Sequence, residues 1–145
     1  MNKLPVLLFI ASGCVSGFAS AQSGKELFGT YCSGCHGANA EGIEGLAPSL
    51  HNPQLWSKLG DKRNQYIAGV VTSGLSGKLV SLDKTYQGFA MPPQSFISSQ
   101  DLVQITHYVL EDVNQQQGGP DQALIDEYKK KPFTHSELHQ LRKGG

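Results

Sequence analysis

The sequence predicts an all-α fold of short helices joined by loops, and three observations carry that prediction. Apolar residues recur at helical spacing in several short stretches, residues suited to capping stand at their ends, and the segments between them are loops with Gly and Pro, of which the 145 residues contain 17 and 7. No strand is expected. The length suits one domain, since two would each be very small.

Taken in order, the chain opens with Asn2 and Lys3, an apolar stretch from Leu4 to Phe18, and the small residues Ala19-Ser20-Ala21 before Gln22. This is the pattern of a secretory signal peptide cleaved after residue 21. The run is too short, and too broken by Ser12, Gly13, Ser16 and Gly17, to serve as a membrane anchor. A lipid anchor on Cys14, in Ala11-Ser12-Gly13-Cys14, is the alternative. Cleavage leaves no transmembrane segment, two cysteines, and Met91 as the only methionine.

Leu27, Phe28 and Tyr31 then mark a helix over 24–31 that runs directly into Cys32, and residues 33–51 are expected to be loop. Asn52-Pro53 is a cap followed by proline at the first helical position, with Leu55, Trp56 and Leu59 on one face and Gly60 as the stop. Asp61 is expected to cap the next helix, whose stripe is Tyr66, Ile67, Val70 and Val71 and which ends at Ser73-Gly74. A long loop over 74–97 contains Met91. Ser98 and Asp101 stand at capping-box spacing before Leu102, Ile105, Val109 and Val113, the best-defined helical pattern in the chain. From Asn114 to Pro120 the sequence is a polar linker that closes a domain of residues 22–113. The extension 114–145 carries two weak helical patterns, Asp121 to Lys130 and Thr134 to Arg142, read as an amphipathic surface appendage.

Charge narrows the function. Twelve Lys and Arg balance twelve Asp and Glu, and no basic stretch exceeds Lys129 to Lys131, which excludes a duplex nucleic-acid binder. Residues 22–113 hold 6 basic and 8 acidic side chains, so strong steering toward an acidic partner is not expected.

The chemistry is concentrated in Cys32-Ser33-Gly34-Cys35-His36. Two thiols three residues apart can add to the two vinyl groups of one haem, and the following histidine is placed to bind its iron. A thioredoxin-like pair would sit between strand and helix, whereas this one ends a helix. A zinc site would need two further ligands, yet no second cysteine pair is present, and the His135/His139 pair lies in the extension. For the iron's other axial position Met91 is the obvious candidate: it is the one thioether left after cleavage, and Pro92 and Pro93 stiffen the backbone that presents it. His51 is the rival least easily set aside. His107, on a polar helix face, and His135 and His139, beyond the linker, are expected to be solvated.

At this point residues 23–113 resemble the class I c-type cytochromes, monohaem proteins with His/Met ligation. The resemblance rests on Gly24 and Phe28 eight and four residues before Cys32, the attachment motif near the mature N-terminus, a methionine some way downstream, and a final helix carrying Ile105 and Tyr108. It implies a cytochrome c fold, helices and loops wrapped around one covalently attached haem c, with the first and last helices crossing at Gly24. It also implies that the carbonyl of Pro48, in Gly45-Leu46-Ala47-Pro48, accepts the Nδ1 proton of His36 and orients it. The cofactor-binding set is then Cys32, Cys35, His36 and Met91, with iron held by His36 and Met91. The stretch from Lys84 to Pro92 looks loosely like monohaem subunits serving copper nitrite reductases, oxidases or dehydrogenases. Departures from the family pattern are the extension after residue 113 and the lack of a lysine-rich face.

The expected function is accordingly that of a periplasmic one-electron carrier, not an enzyme, with transient periplasmic redox proteins as donor and acceptor. The alternatives are a haem subunit docked permanently to a larger reductase, oxidase or dehydrogenase, and a gas-binding or peroxidase-like haem protein.

Overall fold

The computed structural model describes residues 22–144, so the leader expected over residues 1–21 and Cys14 lie outside the described residues. Helix α1 (Gly24–Tyr31) starts where the sequence supplies a reciprocal cap: the Glu26 amide donates to Ser23 Oγ at 3.3 Å and the Ser23 amide donates to Glu26 Oε2 at 2.8 Å. Its buried face is Leu27 and Phe28. The attachment motif is not loop, as expected, but a second helical turn, α2 (Ser33–His36), closed by the His36 amide donating to the Cys32 carbonyl at 3.0 Å. Gly37, at φ 76°, ends it in a conformation that favours glycine.

Helix α3 (Pro53–Leu59) has the expected cap, Asn52 Oδ1 accepting from the Leu55 amide at 3.1 Å. Asp61 does not cap its successor. Residues Gly60–Lys62 form a 3₁₀ turn that leads directly into α4 (Arg63–Ser73), whose first turn has no side-chain cap. Tyr66, Ile67 and Ala68 of α4 are buried, and its Gly69 sits against Leu138 and Phe133 of the extension.

The segment 74–97 is not wholly loop. Strands β1 (Leu79–Ser81) and β2 (Lys84–Tyr86) pair antiparallel with Leu79 opposite Tyr86. Leu82 and Asp83 turn the hairpin, both at positive φ, 49° and 62°. Such a two-residue turn is signalled by Asn-Gly or Asp-Gly, neither of which is present.

Helix α5 (Ser99–His107) begins at Ser98, whose Oγ accepts from the Asp101 amide at 3.1 Å, and continues as a π-helical segment over Tyr108–Val113. α1 crosses α5 with Gly24 against the Gln104 carbonyl and the Tyr108 Cβ, a contact that no side chain at position 24 would permit. Beside it the Phe28 and Tyr108 rings lie 5.3 Å apart, tilted by 53°.

The extension is part of the packed body rather than a surface appendage. Asn114, buried, accepts from the Asn52 amide at 2.8 Å and donates to the carbonyls of Leu50 (2.8 Å) and Val109 (2.7 Å), while Arg63 donates to the Gln117 carbonyl at 2.7 Å. Helix α6 (Gln122–Lys130) packs on α4 and α5, and α7 (His135–Lys143) packs on α4. Ile125 and Leu138 are both 0% exposed. Their burial explains the difference: a few apolar residues per helix are a faint pattern in sequence, yet Ile125, Tyr128 and Leu138 are seated in the core.

Candidate cofactor site

A cavity of about 330 Å³ lies between α2, α3, α4, the hairpin and the Met91 loop, within the size range of small-molecule sites, about 300–1,000 Å³. Most of its lining is apolar. Cys32, Cys35 and His36 reach it from α2, Pro48 from the following loop, and Met91 from beyond the hairpin, so all five residues singled out in the sequence meet at one cavity. Tyr31, Cys35 and Phe89 line it and are exposed, so it opens to the surface at an apolar rim; outside that rim Phe96 packs edge-on against Tyr31 with ring centroids 6.2 Å apart.

His36 is buried, with Nδ1 3.2 Å from the Pro48 carbonyl oxygen. A carbonyl can only accept, so Nδ1 carries the proton and Nε2 keeps its lone pair. Burial holds the His36 pKa below the ordinary imidazole value, against the opposing effect of the Pro48 bond, and the ring is therefore neutral and able to act as a metal ligand. The Cys32 thiol is pushed up to about 11, first by burial and then by the Cys35 charge. A dithiol redox centre needs the reverse, a depressed thiol pKa, which argues against the thioredoxin-like alternative.

Met91 is fixed by the backbone on both sides. Its amide donates to the Leu75 carbonyl at 2.9 Å and its carbonyl accepts from the Leu75 amide at 3.0 Å, while the Gln94 amide donates to the Val71 carbonyl at 2.8 Å and ties the loop to α4. Gly74, at φ 73°, lies so close to the Met91 carbonyl and Pro93 that a side chain there would displace the loop.

The rival histidines are committed elsewhere or face solvent. His51 is exposed and does not line the cavity. His107 is not simply solvated: it lies 3.1 Å from Glu111 and 3.2 Å from the Pro120 carbonyl. His135 meets the Ser76 hydroxyl, and His139 Nε2 donates to the Ser76 carbonyl at 2.8 Å, so both clasp the segment next to Leu75. Three lining residues were not legible as site residues: Asn52, which the sequence marks only as a helix cap, Ser81 and Arg142 gather at the cavity through contacts distant along the chain.

An apolar cavity with a Cys-X-X-Cys-His turn on its wall, a neutral histidine aimed by a carbonyl, and a thioether held by reciprocal backbone bonds has the donor chemistry of a covalent haem site. The class so defined is that of small helical c-type haem proteins. Residues 21–111 match the family model described as cytochrome c, and the chain belongs to that family. It is 26% identical over 142 residues, 97% of this chain and 86% of the relative, to cytochrome c-552 of Thermus thermophilus. The protein carries covalently bound haem c and functions in haem-based electron transfer. No helix among the described residues is long and apolar enough to cross a membrane.

Proposed function

We propose that this protein is a periplasmic one-electron carrier whose haem is linked through Cys32 and Cys35 and ligated by His36 and Met91. The observation that carries the proposal is the placement of the chain's only methionine outside the leader on the same cavity as the attachment motif, anchored by its two bonds to Leu75. Bound haem supplies a one-electron Fe(III)/Fe(II) couple. The chain's own part is to hold that couple: Pro48 keeps the His36 ring in one tautomer and orientation, the apolar wall excludes water, and the Leu75 bridge keeps the Met91 sulfur in place. The apolar rim at Tyr31, Cys35 and Phe89 is the natural point of electron entry and exit, since it is where the cavity meets the surface. Export is supported by the leader composition of residues 1–21 and by haem-linking thiols.

The test is ligand replacement at residue 91. Thioether sulfur raises the potential relative to a second imidazole, so Met91→His should keep a six-coordinate low-spin spectrum and lower the midpoint potential. Met91→Ala should open the iron to carbon monoxide and cyanide. Rapid carbon monoxide binding by the unmutated protein, or an unchanged spectrum and potential in Met91→Ala, overturns the ligation and favours a gas-binding or peroxidase-like role.

A further inference from the structure

Among the residues lining the cavity, Arg142 is the one Asp, Glu, Lys or Arg side chain. It arrives from α7, beyond the 21–111 segment that matches the family model. The residue is half-buried: Nη1 donates to the Tyr66 hydroxyl at 3.2 Å, Nη2 donates to the Val80 carbonyl at 3.2 Å on the exposed side, and Cζ lies 5.9 Å from the centre of the Tyr66 ring. A guanidinium has five N–H donors and does not lose its charge, so three donors are left over. No carboxylate among the described residues pairs with it; the ion pairs there are Lys84–Glu44 and His107–Glu111. The spare donors on the cavity wall are free to meet an anion bound there. The surroundings of Arg142 are the polar part of the lining: Val80 precedes Ser81, whose hydroxyl lies 3.4 Å from Asn52 Nδ2, and both Ser81 and Asn52 face the cavity.

We propose that Arg142 is the ion-pair partner of a haem propionate, a positioning residue that keeps that carboxylate ionised and its charge neutralised in both oxidation states. The planar fork of donors suits a carboxylate, and the haem supplies the anion that the protein lacks at this point. The inference rests on haem filling the cavity and is independent of the identity of its sixth ligand. Without Arg142 the uncompensated carboxylate favours ferric iron, and it takes up a proton more readily when the iron is ferrous. The potential then falls and depends more steeply on pH. The other titratable groups on this side are Tyr66 from α4, Tyr86 from β2, and His135 and His139 of α7; Lys62 bonds the Gly144 carbonyl at the end of α7. Tyr86 and the two histidines are shared by parent and variant, while Tyr66 also loses its Arg142 donor in Arg142→Gln.

The experiment is spectroelectrochemistry of the holoprotein across pH 5 to 8 for the parent, Arg142→Gln and Arg142→Lys. Arg142→Gln should shift the ferric/ferrous equilibrium about three- to tenfold toward ferric, about 30–60 mV for a one-electron couple, and should steepen the pH dependence relative to the parent. Arg142→Lys, which keeps the charge and loses the fork, should recover most of the potential. A pH profile and potential of Arg142→Gln identical to the parent would reduce Arg142 to a strap between α7 and the hairpin and overturn the proposal. Should the variant fail to load haem, the parent decides: with ¹³C-labelled propionates, one carboxylate must stay ionised below the ordinary carboxylate range, and two carboxylates titrating normally overturn the proposal. A parent protein that binds carbon monoxide rapidly yet shows the depressed carboxylate would reject Met91 ligation and leave the Arg142 pair standing.

Discussion

Replacing Gly24 by alanine tests the crossing of α1 and α5, on which the wall behind the attachment motif depends. A Cβ at position 24 would fall 2.9 Å from the Tyr108 Cβ and closer still to the Gln104 carbonyl oxygen. Both obstacles belong to the rigid part of a neighbouring helix, so relief requires the helices to separate rather than a side chain to turn. Overpacking of this kind costs about 1–3 kcal/mol, and backbone obstruction places it at the upper end, about 3 kcal/mol. Helix propensity opposes it, alanine being better than glycine by about 1 kcal/mol, which leaves a net loss of about 2 kcal/mol. For a domain of this size that is a fall in Tm of about 6–12 °C. The companion variant is Gly29→Ala: the residue lies in the same helix, is exposed, and has nothing within 4 Å of its added Cβ. It should gain about 0.5–1 kcal/mol from propensity alone. Thermal melts of both holoproteins, followed by far-ultraviolet circular dichroism and by the Soret band, should therefore move in opposite directions. If Gly24→Ala melts at or above the parent temperature, the close crossing is refuted.

Two further outcomes are expected. Leu138→Ala should cost about 2–5 kcal/mol in a denaturant titration, because the side chain is 0% exposed and seated on Gly69; a loss below about 0.5 kcal/mol would restore the extension to a surface appendage. The Glu137 carboxyl, held below its ordinary value by the Thr134 amide and then the Thr134 hydroxyl, binds its proton more weakly folded than unfolded, so its contribution to stability is present above the ordinary carboxylate pKa and fades as pH falls through the lowered one. NMR titration of Glu137 at or above the usual glutamate range would contradict the α7 cap.

What sequence made legible was what is local. Cys32, Cys35 and His36 are spaced by their own chemistry, and Asn52-Pro53, Ser98 and Thr134 announce helix starts through bonds spanning three residues. Met91 came from subtraction of the expected leader together with the prolines that follow it, Pro92 and Pro93. What escaped was held by contacts between distant segments: the hairpin turns on Leu82-Asp83, which is not turn chemistry, and the polar run after Val113 is fixed by Asn114 bonding Asn52 at the start of α3 and by Arg63 of α4 bonding Gln117. The two histidines of α7 looked solvated because Ser76, their partner, lies about 60 residues away.

The pairing of α1 with α5 also orders events as the chain is made. An eight-residue helix such as α1 is marginal by itself in water, and its partner α5 comes only in the last third of the sequence. Until then nothing shields Cys32 and Cys35, and both thiols belong to an open, accessible peptide. Once α5 docks, Cys32 is partly buried against the core. The fold thus leaves a period during synthesis in which a haem can be delivered to an unfolded stretch, and the docking of a helix encoded far downstream brings that period to a close.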